Sequence, residues 1–262
     1  MNNRLTQVLD ALKENNKKAF TAYIMAGEDG IEKTINDAEI LYNMGVDILE
    51  LGVPFSDPAA DGQTIQRAGE KALRNGTTIY SVLKASKSIK EKTNMPIVIM
   101  TYLNPILSVG IEEFFRKAYE NGVNGVIIPD VPLEESTPFI KASLENNISY
   151  IPLVTLTSSE SRIISILEKA SGFVYCVNTL SVTGKENKLS ENTINLLKKV
   201  KKLSKLPVLS GFGISTSQDA RELAKYSDGV IVGSQIIKHI QNKEYKKIKN
   251  IIENIDIVNN GM

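Results

Sequence analysis

The chain has 262 residues, 42% of them hydrophobic and 23% charged, so it can bury a sizeable core and sits close to the ~250 residues typical of an eight-stranded α/β barrel. Its 31 basic and 30 acidic residues leave a formal net charge of +1, which excludes a global field drawing in nucleic acid or a membrane surface; any anionic ligand must be caught locally. The only cysteine, Cys176, excludes an internal disulfide and reads as a small apolar strand residue, and the only histidine, His239, reads as a surface residue in a Lys-rich segment, so a metal site is not expected.

Taken in order, Leu5, Val8, Leu9 and Leu12 recur at helical spacing and predict an opening amphipathic helix. Residues 19–26 read as a strand ending at Gly27, and 31–44 as a helix ending before Gly45. The apolar run 46–53, bounded by Gly45 and Pro54, is too short for a typical helix and reads as a strand buried on both faces. Alternation puts Ile48, Glu50 and Gly52 on one face and Leu49, Leu51 and Val53 on the other, so Glu50 points where an apolar side chain belongs. An unpaired carboxylate in a dry interior costs several kcal/mol or takes up a proton. Glu50 therefore has either a partner, as in a buried ion pair, or a purpose. Downstream, Ser56-Asp57-Pro58 is turn chemistry, and Asp61-Gly62 sets a second carboxylate before the next helix.

Further apolar runs ending in Gly, Pro, Asn or Asp appear at 96–102, 125–130, 150–156, 173–177, 206–211 and 229–232, which makes eight with the first two. Amphipathic segments at 63–73, 79–92, 111–120, 134–146, 161–169, 193–203 and 218–225 supply the crossovers a parallel sheet requires. Thr157-x-x-Glu160 and Ser215-x-x-Gln218 fit capping boxes. Lys198-Lys199-Val200-Lys201-Lys202 reads as a solvated helix face, because Ile194, Leu197 and Val200 keep an apolar stripe. The expectation is one α/β domain over 1–262, a (β/α)8 TIM barrel with an extra N-terminal helix. With no signal-like apolar core and no membrane-spanning run, a soluble cytoplasmic protein is expected.

In such barrels chemistry gathers where strands end and strand-to-helix loops begin. That rule selects Glu50 and the Asp57–Asp61 loop after the second strand, Tyr175 in the sixth and Thr183-Gly184 after it, Gly211-Phe212-Gly213 after the seventh, and Gly233-Ser234 after the eighth. Glycines at helix starts allow either tight turns or close approach of backbone amides to a phosphate, and two such groups in adjacent loops favour the phosphate. A P-loop is excluded at Thr183-Gly184-Lys185, because Thr179 stands five before Gly184; Thr216 stands where a dinucleotide fingerprint needs its third glycine.

The run Leu49-Glu50-Leu51-Gly52-Val53-Pro54-Phe55-Ser56-Asp57-Pro58-x-Ala60-Asp61-Gly62 resembles the signature of the tryptophan synthase alpha chain family. Met100-x-Tyr102-x-Asn104-Pro105, Pro129-Asp130-Val131-Pro132, Val182-Thr183-Gly184, Gly211-Phe212-Gly213-Ile214-Ser215 and Gly233-Ser234 follow in that family's order. The resemblance covers essentially the whole chain. It implies a barrel that cleaves indole-3-glycerol phosphate into indole and glyceraldehyde 3-phosphate with no cofactor of its own. It also implies a beta-chain partner, two alpha with two beta, in which the beta chain carries pyridoxal phosphate.

By the same resemblance Glu50 gives and takes the proton, and Asp61 accepts the indole N–H. Tyr23, Met100, Ile127, Tyr175 and Phe212 line or adjoin the indole pocket; Thr183, Gly184, Gly211, Gly213, Gly233 and Ser234 form the phosphate site. Two departures stand out. Asn178-Thr179-Leu180-Ser181 replaces the family's common Ser-Arg-x-Gly before Val-Thr-Gly, and Tyr23 replaces a frequent phenylalanine, adding a hydroxyl that needs a partner. A stand-alone lyase or other phosphosugar barrel enzyme, and a catalytically weak barrel that mainly activates a beta chain, are the alternatives the residues leave open.

Overall fold

The computed structural model describes residues 2–177, 190–211, 213–214 and 216–255. Its apolar runs pair into one parallel sheet. β1 (Ala19–Met25), β2 (Ile48–Gly52), β3 (Ile97–Met100) and β4 (Val123–Ile127) lie side by side, while β9 (Gly229–Val232), β8 (Val208–Gly211) and β7 (Val174–Val177) continue from the other side of β1. The fifth predicted run forms two pieces, β5 (Ser149–Tyr150) on β4 and β6 (Leu153–Thr155) on β7, which are the two ends of the sheet order. Only Ile151 and Pro152 lie between them. The Ile151 amide donates to the Val126 carbonyl at 3.0 Å, and the Pro152 carbonyl accepts the Tyr175 amide at 3.2 Å. Pro152 has no N–H to give to a ladder, so the strand is divided there while the sheet curls round to meet itself. The TIM-barrel-like architecture expected from the sequence is what forms, with one stave in two parts.

Around it run α1 (Arg4–Glu14), α2 (Ile31–Asn43), α3 (Gln63–Arg74), α4 (Ile79–Thr93), α5 (Leu103–Val109), α6 (Ile111–Glu120), α7 (Thr137–Glu145), α8 (Glu160–Lys169), α9 (Glu191–Leu203), α10 (Ser217–Ala224), α11 (Ser234–Gln241) and α12 (Tyr245–Ile255). Strand alternation divides the core into two layers. Leu49, Leu51 and Val53 pack outward with the helices, whereas Ile48 joins Val98, Ile127, Ile151, Phe173 and Leu209 inside the barrel. The opening helix plugs the amino-terminal end of that interior, since Leu5 and Leu9 of α1 are buried among the same inner residues. Burial of each contributes about 1.5–3 kcal/mol. Asn3 both caps α1 and ties it down, donating from Nδ2 to the Asn124 carbonyl at 2.8 Å and the Asn147 carbonyl at 3.1 Å.

Several boundaries differ from the sequence reading. β4 ends at Ile127 rather than at 130, because Pro129 cannot donate to the ladder; Asp130 turns away and its carboxylate accepts the Leu103 amide at 2.9 Å. The segment expected as one helix over 134–146 is a 3-10 turn, Leu133–Glu135, followed by α7. The N-cap of α8 is Ser159, not Thr157, and that of α10 is Thr216 with Asp219 completing the box, not Ser215 with Gln218. Helices α5, α11 and α12 are additional to the predicted set. Cys176 is buried and free, and His239 is half-buried, its Nδ1 2.8 Å from Glu244. No helix of the described residues is long and apolar enough to cross a membrane.

Candidate active site

β1 and β2 deliver the first two side chains together. Tyr23 and Glu50 are register partners on adjacent strands and face the barrel interior. Glu50 is 1% exposed, and neither carboxyl oxygen has a hydrogen-bond partner among the described residues. No cation pairs with it there either, so the buried ion pair is not what keeps Glu50 in the strand. Burial pushes its carboxyl from 4.5 up to about 8, and the neighbouring Asp61 adds to the rise.

Asp61 reaches the same space from a loop that two backbone hydrogen bonds fold and side chains from elsewhere brace. The Ala59 amide bonds the Asp57 carbonyl at 2.9 Å, and the Asp61 amide bonds the Pro58 carbonyl at 3.2 Å. Tyr102 braces this turn: its hydroxyl accepts the Ala60 amide at 2.9 Å, and its ring stacks on Phe55 with centroids 5.2 Å apart. Burial raises the Asp61 carboxyl from 3.8 to about 6, against a lowering by the Tyr102 hydrogen bond, and Oδ1 is buried without a partner among the described residues. Two carboxyls thus face one cavity, and among the described residues neither has an ion-pair partner. That is the arrangement in which one is neutral and the other charged near neutral pH.

Both open onto a cavity of about 310 Å³ at the carboxyl-terminal ends of the strands, lined also by Tyr23, Met100, Tyr175, Gly213, Gly233 and Ser234. The far end suits an anion. Gly213 has φ +77°, a backbone shape that favours glycine, and Gly233 is the N-cap of α11, with no side chain using up the first-turn amides. Those amides and the helix dipole favour negative charge. Two other glycines make room for tyrosines: a Cβ on Gly52 would lie 2.2 Å from Tyr23 Oη, and one on Gly211 would lie 2.6 Å from Tyr175 Oη.

Eight of the residues singled out from the sequence therefore meet in one cavity: Glu50, Asp61, Tyr23, Met100, Tyr175, Gly213, Gly233 and Ser234. Ile127 is buried in the same inner cluster as Met100 and Tyr175 but does not line the cavity, and Gly211 lies under Tyr175 rather than on the wall. Thr183, Gly184 and Phe212, with the unusual Asn178–Ser181 stretch, lie outside the described residues. The sequence reading missed Ile65 and Ile231, which add apolar wall, and Lys238, which brings a cation. Lys238 stands one helical turn beyond Ser234 on α11, a spacing that would have exposed it had that segment been read as a helix. A cavity of about 460 Å³ beside the loops after β4 and β6 is larger but has no carboxyl on its wall. Among the described residues no cluster of three or more His, Cys, Asp or Glu could hold a metal ion.

Residues 9–261 match the model of a family described as tryptophan synthase alpha chain. A protein of that name from Bacillus cereus is 43% identical over 244 residues, 93% of this chain and 95% of the relative, and one from Oceanobacillus iheyensis is 41% identical over 249 residues, 95% of each. Among solved structures, a tryptophan synthase alpha chain from Legionella pneumophila superposes with a TM-score of 0.90 at 32% identity, covering 100% of both chains. A structure of Mycobacterium tuberculosis tryptophan synthase gives 0.91 at 33% identity, covering 98% of this chain and 99% of the other.

Proposed function

We infer the work of this cavity from a plain relationship: the chain belongs to the tryptophan synthase alpha chain family. It is a lyase that cleaves indole-3-glycerol phosphate to indole and glyceraldehyde 3-phosphate. The observation that carries the assignment of residues is a fully buried, unpaired Glu50 facing Asp61 in a cavity whose other end is a helix N-terminus.

The chemistry asks for an acid and then a base. The bond to be broken joins indole C3 to a carbinol carbon, and protonation at C3 turns the ring into an electron sink. Glu50, held neutral by burial, gives that proton. The resulting carboxylate then takes the carbinol O–H proton as the carbon–carbon bond breaks, so the aldehyde leaves, the indole regains its aromaticity and Glu50 ends as it began. Asp61, ionised, accepts the indole N–H and stabilises the positive charge that develops on the ring. Gly213, Gly233 and Ser234 receive the phosphate with their backbone amides, Lys238 adds charge at the rim, and Tyr23, Met100, Tyr175 and Ile65 enclose the indole. Thr183, Gly184 and Phe212 complete the phosphate and indole sites in this reading.

Nothing in these steps calls for a cofactor in this chain. Structures of the whole synthase among the relatives point to a beta-chain partner, and the assembly we propose has two alpha and two beta chains, with pyridoxal phosphate on the beta chain and the enzyme in the cytoplasm. The test is release of indole from indole-3-glycerol phosphate by the purified chain, alone and with a beta chain. Cleavage that rises when the beta chain is added supports the reading; absence of cleavage in both conditions overturns it.

A further inference from the structure

Asp61 and Tyr23 line the same cavity, and the Asp61 charge bears on the Tyr23 hydroxyl. Asp61 Oδ1 is buried without a partner, and the Tyr23 hydroxyl makes no hydrogen bond among the described residues. The groups facing Asp61 are Tyr23 from β1, Glu50 from β2, Tyr102 after β3 and Tyr175 from β7, with Lys238 of α11 at the rim. Tyr102 is already committed to the Ala60 amide and to Asp61. Glu50 is spoken for by the proton transfers. Tyr175 has an interaction of its own, which leaves Tyr23 as the tyrosine hydroxyl with no hydrogen bond among the described residues.

Its seat is narrow. The ring lies over Gly52 and beside Gly233, where an added Cβ would come within 2.2 Å of Tyr23 Oη and 3.4 Å of Tyr23 Cβ. Tyr23 is therefore a rigid group on a strand, while Asp61 rides on a loop. A phenylalanine would fill the same seat without a donor.

We propose that Tyr23 is a positioning residue for Asp61: in the substrate complex its hydroxyl donates to Asp61 Oδ1 and holds that carboxylate towards the indole N–H. A carboxylate oxygen has two lone pairs, so Oδ1 takes the tyrosine O–H and still accepts the indole N–H. The donor also favours the charged form of Asp61 in a dry cavity, where a lone carboxylate would otherwise take up a proton. The proposal rests on the role given to Asp61 above.

The experiment compares the parent with Tyr23→Phe, Asp61→Asn and the double variant in indole-3-glycerol phosphate cleavage across pH, with thermal unfolding alongside. Tyr23→Phe keeps the ring, so its unfolding temperature should stay at the parent's. Loss of a hydrogen bond to a charged group should lower kcat by about tenfold, leave KM nearly unchanged and move the acid limb of the profile up by about one pH unit. On the Asp61→Asn background the same change should cost less than about twofold, because the two groups act as one. A Tyr23→Phe enzyme with the parent's pH profile, or with the same loss in both backgrounds, overturns the proposal. If Asp61→Asn itself keeps full activity, it is the role of Asp61 that fails; if Asp61→Asn is impaired and Tyr23→Phe is silent, only Tyr23 loses its role.

Discussion

Replacing Glu50 with glutamine keeps the size of the side chain and removes the titrating group, so it separates catalysis from stability. The folded chain holds Glu50 with its pKa at about 8, against 4.5 for the ordinary side chain. Because the folded value is the higher one, folding takes up a proton between those limits, and stability falls as pH rises from about 4.5 to about 8. At about 1.4 kcal/mol per pH unit, the penalty is about 3 kcal/mol at pH 7 and approaches about 5 kcal/mol above pH 8. Glutamine carries no such penalty, although its buried NH2 without an acceptor returns about 1–3 kcal/mol. The net gain at pH 7 is therefore small, but its pH dependence is not. The stability difference between Glu50→Gln and the parent should widen steadily from pH 5 to pH 8 in favour of the variant.

Cleavage should move the other way. With no proton to give at C3 and no base to take the carbinol proton, turnover should fall by about 10²–10⁴ while substrate still binds. Indole release, ligand titration and thermal unfolding at pH 5 and pH 8 measure all three quantities on one protein. A variant that turns over at the parent's rate, or that unfolds earlier than the parent at pH 8, would refute the reasoning. Early unfolding would mean that Glu50 is a structural partner, whose removal costs about 3–5 kcal/mol.

In the parent, kcat/KM should be bell-shaped, falling below about pH 6 as the carboxyl pair takes up its second proton and above about pH 8 as it loses its first; a profile flat from pH 5 to 9 would contradict it. Gly213→Asp should weaken glycerol phosphate binding by at least about tenfold through like charge, and Gly213→Ala, which has the same strain at φ +77° without the charge, should weaken it less. Equal affinity in Gly213→Asp and parent by calorimetry would remove Gly213 from the phosphate site. Asp57 is exposed and, among the described residues, its carboxylate accepts only the adjacent Ser56 hydroxyl, so Asp57→Ala should blunt activation by a beta chain with substrate affinity nearly intact. Superimposable activation curves would dispose of that role.

What could be read from the sequence depended on how sharply a residue broke its local rule. Glu50 was legible because a carboxylate at an inward position of an apolar strand has few explanations, and the observed alternation puts Ile48 inside and Leu49 and Leu51 outside as two-residue periodicity requires. The opening helix was legible from its stripe, though not its task of plugging the barrel, which depends on inner residues as distant as Ile127 and Phe173. The caps of α8 and α10 were misread for the opposite reason. Thr157, Ser158 and Ser159 are all competent N-caps, as are Ser215, Thr216 and Ser217, and only the point where the chain leaves the sheet selects Ser159 and Thr216.

The same ambiguity hid part of the site. Lys238 sits among lysines that serve as solvated surface, and nothing local marks it out; it lines the cavity only because Ser234 starts a helix whose next turn overlooks it. Asp61 lies between these cases. Its loop chemistry was plain, but its position opposite Glu50 is set by contacts from elsewhere, the Tyr102 hydroxyl on Ala60 and the Gln66 side chain on the Asp61 carbonyl at 2.8 Å. A strand-borne carboxyl is placed by periodicity and can be inferred from its neighbours in sequence, whereas a loop-borne one is placed by whatever braces the loop. For that reason changes at Tyr102 or Gln66 should act on cleavage through Asp61 and leave Glu50 as it is. Kinetics of Tyr102→Phe in an Asp61→Asn background would show it: the double variant should be no slower than Asp61→Asn alone, and a further fall of tenfold would mean that Tyr102 acts on the reaction by another route.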